Sequence, residues 1–287
     1  MKTSVMSDIL LNFEDGLGSY LTKDQIREQA PLVFAEAPTN PDVSKKYLFV
    51  NTEKIIDDLD KLGWKPVEVA QRKSIKAEGT IFSKHMVAFQ NPDIKITSGD
   101  GDDAYPRILL TNSHDGMQAF KFSVGIFRLV CSNGLVVADE QFSEFKIKHK
   151  GYTFGELRKV VKQAVNDLPN RVQVMNDMKN RVLTQDEKNK LALDSMLIRA
   201  GIKLGSEQAE SFKYDDETIE DILDPKRDAD RGDDLWRVFN VIQEKITQGD
   251  FHAALKGAKV RKVRKIKSFE KDLKVNKELF KLATALV

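Results

Sequence analysis

Apolar residues change their rhythm twice along this chain. Thr52 to Leu62, TEKIIDDLDKL, places Ile55, Ile56, Leu59 and Leu62 at helical spacing. Thr52 reads as its cap and Gly63 as its stop, so the pattern predicts a helix. From Trp64 to about Lys150 the alternation has the side-to-side rhythm of strands. Strands are predicted at Lys65 to Lys73, His85 to Gln90, Ile94 to Thr97, Arg107 to Ser113, Ala119 to Cys131, Leu135 to Asp139 and Phe142 to His149. Turns fall at Asn91-Pro92 and at the acidic, Gly-rich SGDGDDAYP, which lacks the spacing of a calcium loop.

After Gly151 the helical rhythm returns. Helices are predicted over Phe154 to Leu168, through Val172, Met175, Met178 and Val182, from Gln185 to Arg199 behind a Thr184–Glu187 capping box, from Asp234 to Thr247, and from Ser268 to Leu286. Glu207 to Asp234 is strongly acidic, holds Pro225 and Gly232, and reads as a mobile connection. Short links between strands followed by consecutive helices imply an α+β protein: a twisted antiparallel meander with a long central hairpin, then a helical part. Residues 1–50 read as an arm of loops with a short helix at Lys23 to Gln29. Residues 51–150 form a helix plus sheet, and residues 151–287 a helical region with a basic tail, packed on the sheet as one domain.

The centre of this organisation is Leu109 to Val137, LLTNSHDGMQAFKFSVGIFRLVCSNGLVV, with turns at SHDG and Ser132 to Gly134. Phe120, Phe122, Val124 and Ile126 share one strand face, and Arg128 falls on it as the lone charge. Either Arg128 pairs inside the fold or a β-bulge at Gly125 sends it to the side of Lys121 and Ser123. The bulge is the preferred reading.

Composition narrows the chemistry only slightly. The 287 residues are 41% hydrophobic and 31% charged, and 46 Lys and Arg nearly balance 44 Asp and Glu. A single cysteine, Cys131, excludes an internal disulfide framework. There is no apolar run of membrane-spanning length and no N-terminal leader pattern, so an intracellular, cytoplasmic protein is expected. GxSxG, HExxH, CxxC and the phosphate-loop pattern are all absent, so no cofactor or metal is expected. A catalytic reading would rest on Asn112, His114, Asp115 and Arg128 near one hairpin; turn chemistry explains Asn112 and Asp115 more simply.

The uneven distribution of cations says more. Lys146, Lys148 and Lys150 run into Arg158, Lys159 and Lys162, and Lys256 to Lys267 carries seven cations and no acid. In KVRKVRKIKSF, Val260, Val263 and Ile266 recur every third residue and are expected to hold the segment on the body while the charges face out. Phosphate binding needs little else, and no recognition helix or zinc finger is visible. The residues expected to contact phosphates are Lys121, Arg128, Lys146, Lys148, Arg158, Arg261, Arg264 and Lys265, with hydrogen bonds from Asn112, His114 and Asn133 at the hairpin ends.

LTNSHDG (residues 110–116), FRLVCSNGLVV (127–137), DLWRVFNVIQEKI (234–246) and RKVRKIKSFEKDLKVNKELFKLA (261–283) make the chain resemble a phage- and plasmid-associated family, domain-of-unknown-function family 932. The chain departs from that pattern between Gln248 and Phe251, where members often carry a longer Gly-rich basic ending. The resemblance implies a mobile-element context and no defined activity. By fold-level analogy, an antiparallel sheet followed by basic helices is similar to phage single-strand annealing recombinases. That analogy implies an ATP-independent protein that holds single-stranded DNA by its backbone and forms a homo-oligomer. The competing expectations are a phage interaction protein that counters a host defence, with a phage nuclease or host protein as partner, and an enzyme centred on His114, Asp115 and Arg128.

Overall fold

In the computed structural model the chain is described over residues 20–40, 43, 47, 49–71, 84–95, 104–115, 120–128, 136–137, 145–147, 153–212, 214–249, 251–253 and 259–287. Contacts divide it into two compact units, one of residues 1–132 and 142–166 and one of residues 133–141 and 167–287.

The first unit is an antiparallel sheet with helices on one face. Its strands are β1 (Lys65–Gln71), β2 (Lys84–Gln90), β3 (Ala104–Ser113) and β4 (Phe120–Arg128), paired in that order, with the later β6 (Phe145–Ile147) against β4. The long hairpin is β3–β4, in register from Ala104↔Arg128 to Thr111↔Lys121. The alternation of β2 and β3 sends Val87, Phe89, Ile108 and Leu110 to one face. There they join Phe122 of β4 and meet Ile26 of α1 (Lys23–Gln29), Ile55, Ile56 and Leu59 of α2 (Thr52–Asp60) and Leu157, Val161 and Ala164 of α3 (Phe154–Asn166). Each large aliphatic side chain buried there contributes about 1.5–3 kcal/mol. The N-terminal stretch packs on this core from Leu21, and Ala30, Val33 and Phe34 are buried beside Ile26.

Two local expectations are corrected. The ladder opposite Gly125 is unbroken, with Arg107↔Gly125 between Pro106↔Ile126 and Ile108↔Val124, so Gly125 does not bulge. The register shift lies in β1 instead, between Pro66 and Glu68. The cap of α2 is Asn51, whose Oδ1 accepts from the Lys54 N–H at 3.0 Å, which leaves the Thr52 hydroxyl for another task.

The second unit is helical. It holds β5 (Val136–Val137), α4 (Leu168–Asn180), α5 (Gln185–Ala200), α6 (Glu207–Ser211), α7 (Asp216–Leu223), α8 (Leu235–Gln248), a hairpin of β7 (His252–Ala253) and β8 (Arg261–Lys262), and α9 (Phe269–Thr284). Pro169 stands in the first turn of α4, where its missing N–H costs nothing. The Thr184–Glu187 capping box starts α5, and Gly201 in the left-handed conformation stops it. The described residues of the acidic stretch 207–234 are built into the fold rather than forming a mobile connection: Thr218 and Ile222 of α7 are buried, and α7 packs on α5 and α8. α8 is the axis of the unit and is buried almost all round, with Phe239 against the Phe280 ring of α9 at 5.8 Å.

Candidate functional site

The hairpin end predicted to reach out for a ligand is the most polar part of the interior. His85 and Asn112 are register partners on β2 and β3, and the Thr52 hydroxyl enters beside them from the first turn of α2. Thr52 Oγ1 lies 2.9 Å from His85 Nε2, 3.2 Å from His114 Nε2 and 2.9 Å from the Asn112 amide nitrogen. His85, His114, Thr52, Asn112, Ser113 and Asp115 are all at most 4% exposed. A hydroxyl has one proton and two lone pairs, and Asn112 occupies one lone pair. One imidazole must therefore donate to Thr52 through Nε2–H while the other, unprotonated at Nε2, accepts the hydroxyl proton.

The same knot ties down the chain around it. The two imidazoles are 4.8 Å apart, and Phe49 lies 4.7 Å from the His114 ring. The Thr39 N–H donates to the His114 carbonyl at 2.9 Å, the Asn40 amide to the Asp115 carbonyl at 3.3 Å, and the Tyr47 hydroxyl to the Ser113 carbonyl at 3.5 Å. Asn112 Oδ1 accepts from the Ser113 N–H at 2.8 Å, and the Ser113 hydroxyl donates to Asp115 Oδ1, which is the local turn chemistry the sequence suggests. Burial, with the neighbouring His114 second, pushes the His85 pKa down to about 3. Burial, with the Asp115 charge second, pushes the Tyr47 phenol up to about 12. These groups hold the hairpin closed onto α2. Asn112 and His114 are therefore not placed to hydrogen-bond a strand lying on the surface, which corrects the role predicted for them.

The cations divide into separate surfaces. Lys121 and Lys146 are register partners on β4 and β6. Arg158 and Lys162 lie one turn apart on the exposed side of α3. α3 covers the core face of the sheet, whereas Lys121 alternates with Phe122 onto the other face, so Lys121 and Arg158 do not line one groove. Arg128 closes the register opposite Ala104, on the alternation of Phe122 rather than that of Lys121, and its side chain lies outside the described residues. Lys148, Asn133 and Cys131 also lie outside them.

In the second unit residues 259–267 form an extended basic strap. Lys259, Arg261, Lys262, Arg264, Lys265 and Lys267 are exposed. Among the described residues, no ion pair engages Lys259, Arg261, Arg264, Lys265 or Lys267. The backbone is pinned from beneath: the Val263 N–H donates to the Phe251 carbonyl at 2.8 Å and the Ile266 N–H to the Thr247 carbonyl at 2.9 Å. Ile266 is buried and Val263 half-buried, as their spacing suggests, but Val260 is exposed. Among the described residues no group of three or more His, Cys, Asp or Glu is placed to hold a metal, and no helix is long and apolar enough to cross a membrane.

Comparison with known proteins places the sequence in a family. The family model described as Domain of unknown function (DUF932) matches residues 42–280. The chain belongs to the DUF932 family. It is 27% identical over 273 residues to the UPF0380 protein YfjQ of Escherichia coli (strain K12), covering 93% of this chain and 92% of that one. It is 28% identical over 269 residues to the UPF0380 protein YafZ of the same strain, with coverage of 93% and 92%. No solved structure is a significant match.

The DUF932 segment thus takes in both the polar knot and the basic strap. Sequence reasoning found His114 and Asn112 but missed Thr52, His85 and Tyr47, which lie 27 to 67 residues upstream of them. One signal was available: His85 stands on the inward face of β2 in line with Val87 and Phe89, and an inward polar residue calls for a partner. Arg107 carried the same signal unread. It is 4% exposed on β3, 3.4 Å from Gln90 Oε1 and 3.6 Å from Glu68, and burial pushes its pKa down to about 10.

Proposed function

We propose that this chain binds single-stranded DNA through the phosphate backbone and anneals complementary strands without nucleotide hydrolysis. The observation that carries the reading is the strap of residues 259–267, whose cations face solvent while its backbone is hydrogen-bonded to the body. A surface that gathers positive charge without neighbouring acids gains most from a polyanion, because each phosphate neutralised releases condensed counterions. Backbone contacts of this kind leave the bases of the bound strand open to pairing, and the absence of a phosphate loop from the sequence agrees with an activity that needs no nucleotide. Homo-oligomer formation, which would lay several straps along one strand, is part of the same proposal.

An annealing assay tests it: two complementary labelled oligonucleotides are mixed at ~50 mM salt without nucleotide, and pairing is followed by energy transfer. Pairing faster than the spontaneous rate, lost in the triple variant Arg261→Ala, Arg264→Ala, Lys265→Ala, supports the reading. An unchanged rate together with a protein partner retained from nuclease-treated host lysate would replace it with the interaction-protein reading.

A further inference from the structure

The strap is gripped at its backbone, and two residues do the gripping. Gly249 ends α8 with φ 74° and ψ −138°, a conformation essentially confined to glycine. A Cβ on it would stand 2.6 Å from the Arg264 carbonyl carbon, 2.6 Å from the Val263 oxygen and 2.9 Å from the Lys265 nitrogen. All three are backbone atoms, so a side chain at 249 can be accommodated only by lifting the strap away. From the end of α5 the Arg199 guanidinium donates to two carbonyls, Ile246 in α8 and Arg264 in the strap, so it stitches the helix end to the strap. Asp221 of α7 holds the neighbouring strand, accepting from the His252 N–H at 2.9 Å while pairing with Lys245 at 3.0 Å.

This clamp spends its hydrogen bonds on the backbone and leaves the side chains of Arg261, Arg264, Lys265 and Lys267 outside. Residues 261–267 in extended form span about 20 Å at ~3.3 Å per residue, roughly three successive phosphates of an extended single strand. We infer that Gly249 and Arg199 are positioning residues for DNA phosphates, holding the strap as a preformed rail so that a strand can bind without first ordering the protein backbone. The inference rests on the reading that the strap contacts phosphates, and it adds which residues make the strap competent.

The test uses the full-length protein, a fluorescein-labelled oligothymidylate and anisotropy titrations across a salt series, with circular dichroism to monitor folding. Gly249→Ala and Arg199→Met should keep the helical signal, raise Kd by ~5-fold or more and make the log–log salt slope shallower by about one, because a displaced rail meets fewer phosphates. A purely structural role would lower the melting temperature and leave the slope of the folded protein unchanged, and that result overturns the inference. If Gly249→Ala fails to fold, Arg199→Met decides by the same two readouts. Wild-type protein that does not bind the oligonucleotide removes the strap reading itself, whereas variants that bind like wild type remove only the positioning role.

Discussion

Thr52 shows how far a single residue can bind a fold together. Its hydroxyl is shared by two imidazoles and an amide, and all three contacts can be made only while one of the rings is unprotonated at Nε2. Thr52→Val keeps the shape and removes the shared partner, so it should cost about 1–3 kcal/mol in urea unfolding, the scale for stranding buried polar groups. The same geometry sets a pH dependence. The pKa of His85 is about 3 in the fold, below its ordinary 6.5, so the unfolded chain takes the proton first. Its stability contribution is full above pH ~6.5 and falls as pH drops toward ~3, by about 1.4 kcal/mol per unit. Wild type should therefore lose about 2 kcal/mol more than His85→Gln between pH 7 and pH 5; equal losses would mean that His85 is not a buried neutral ring. His114→Ala should lower stability by about 2–4 kcal/mol and leave the DNA affinity of the folded protein unchanged, because His114 is a core residue. A large affinity loss with little destabilisation would return it to the binding surface.

Among the elements, those with a plain rhythm were legible from sequence. The capping box at Thr184, the left-handed Gly201 and the alternation of β2 and β3 are local signals with local causes. What could not be read was partnership across distance. α8 looks amphipathic in sequence, yet its polar side is buried as well, because Gln243 meets Asn276 of α9 at 2.7 Å, Lys245 meets Asp221, and Glu244 meets Arg227 in a two-bond pair at 2.8 and 2.9 Å. Two of these partners, Asp221 and Arg227, come from the acidic stretch that looked like a linker, so that stretch holds the helix rather than merely solvating the surface. Arg227 also bonds Asp230 at 2.8 Å, so Arg227→Ala leaves two largely buried carboxylates without their shared cation. It should destabilise the protein by about 3 kcal/mol in thermal or urea unfolding; a loss below half that would mean these carboxylates remain solvated. Arg128 shows the opposite kind of error. The expected bulge assumed that an Arg must escape an apolar face, but the hairpin register continues past Gly125 without a break.

For the whole molecule, the net charge of +2 carries little information, whereas the location of the charge carries a good deal. The hairpin that looked like the place for chemistry is a closed, buried knot, and the strongest case for a ligand shifts to the strap of residues 259–267, whose backbone is hydrogen-bonded to the body. Of the predicted contact residues, Arg158, Arg261, Arg264 and Lys265 are on the surface, Lys121 is half-buried, and Asn112 and His114 are inside. The most direct test of this account is the salt dependence of single-stranded DNA binding by wild type and by the triple variant Arg261→Ala, Arg264→Ala, Lys265→Ala. The account predicts a wild-type log–log slope of about −2 or steeper, made shallower by about 2 in the variant, since each phosphate contact on a single strand contributes ~0.7. No binding at ~50 mM salt, or a wild-type slope near zero, would contradict it.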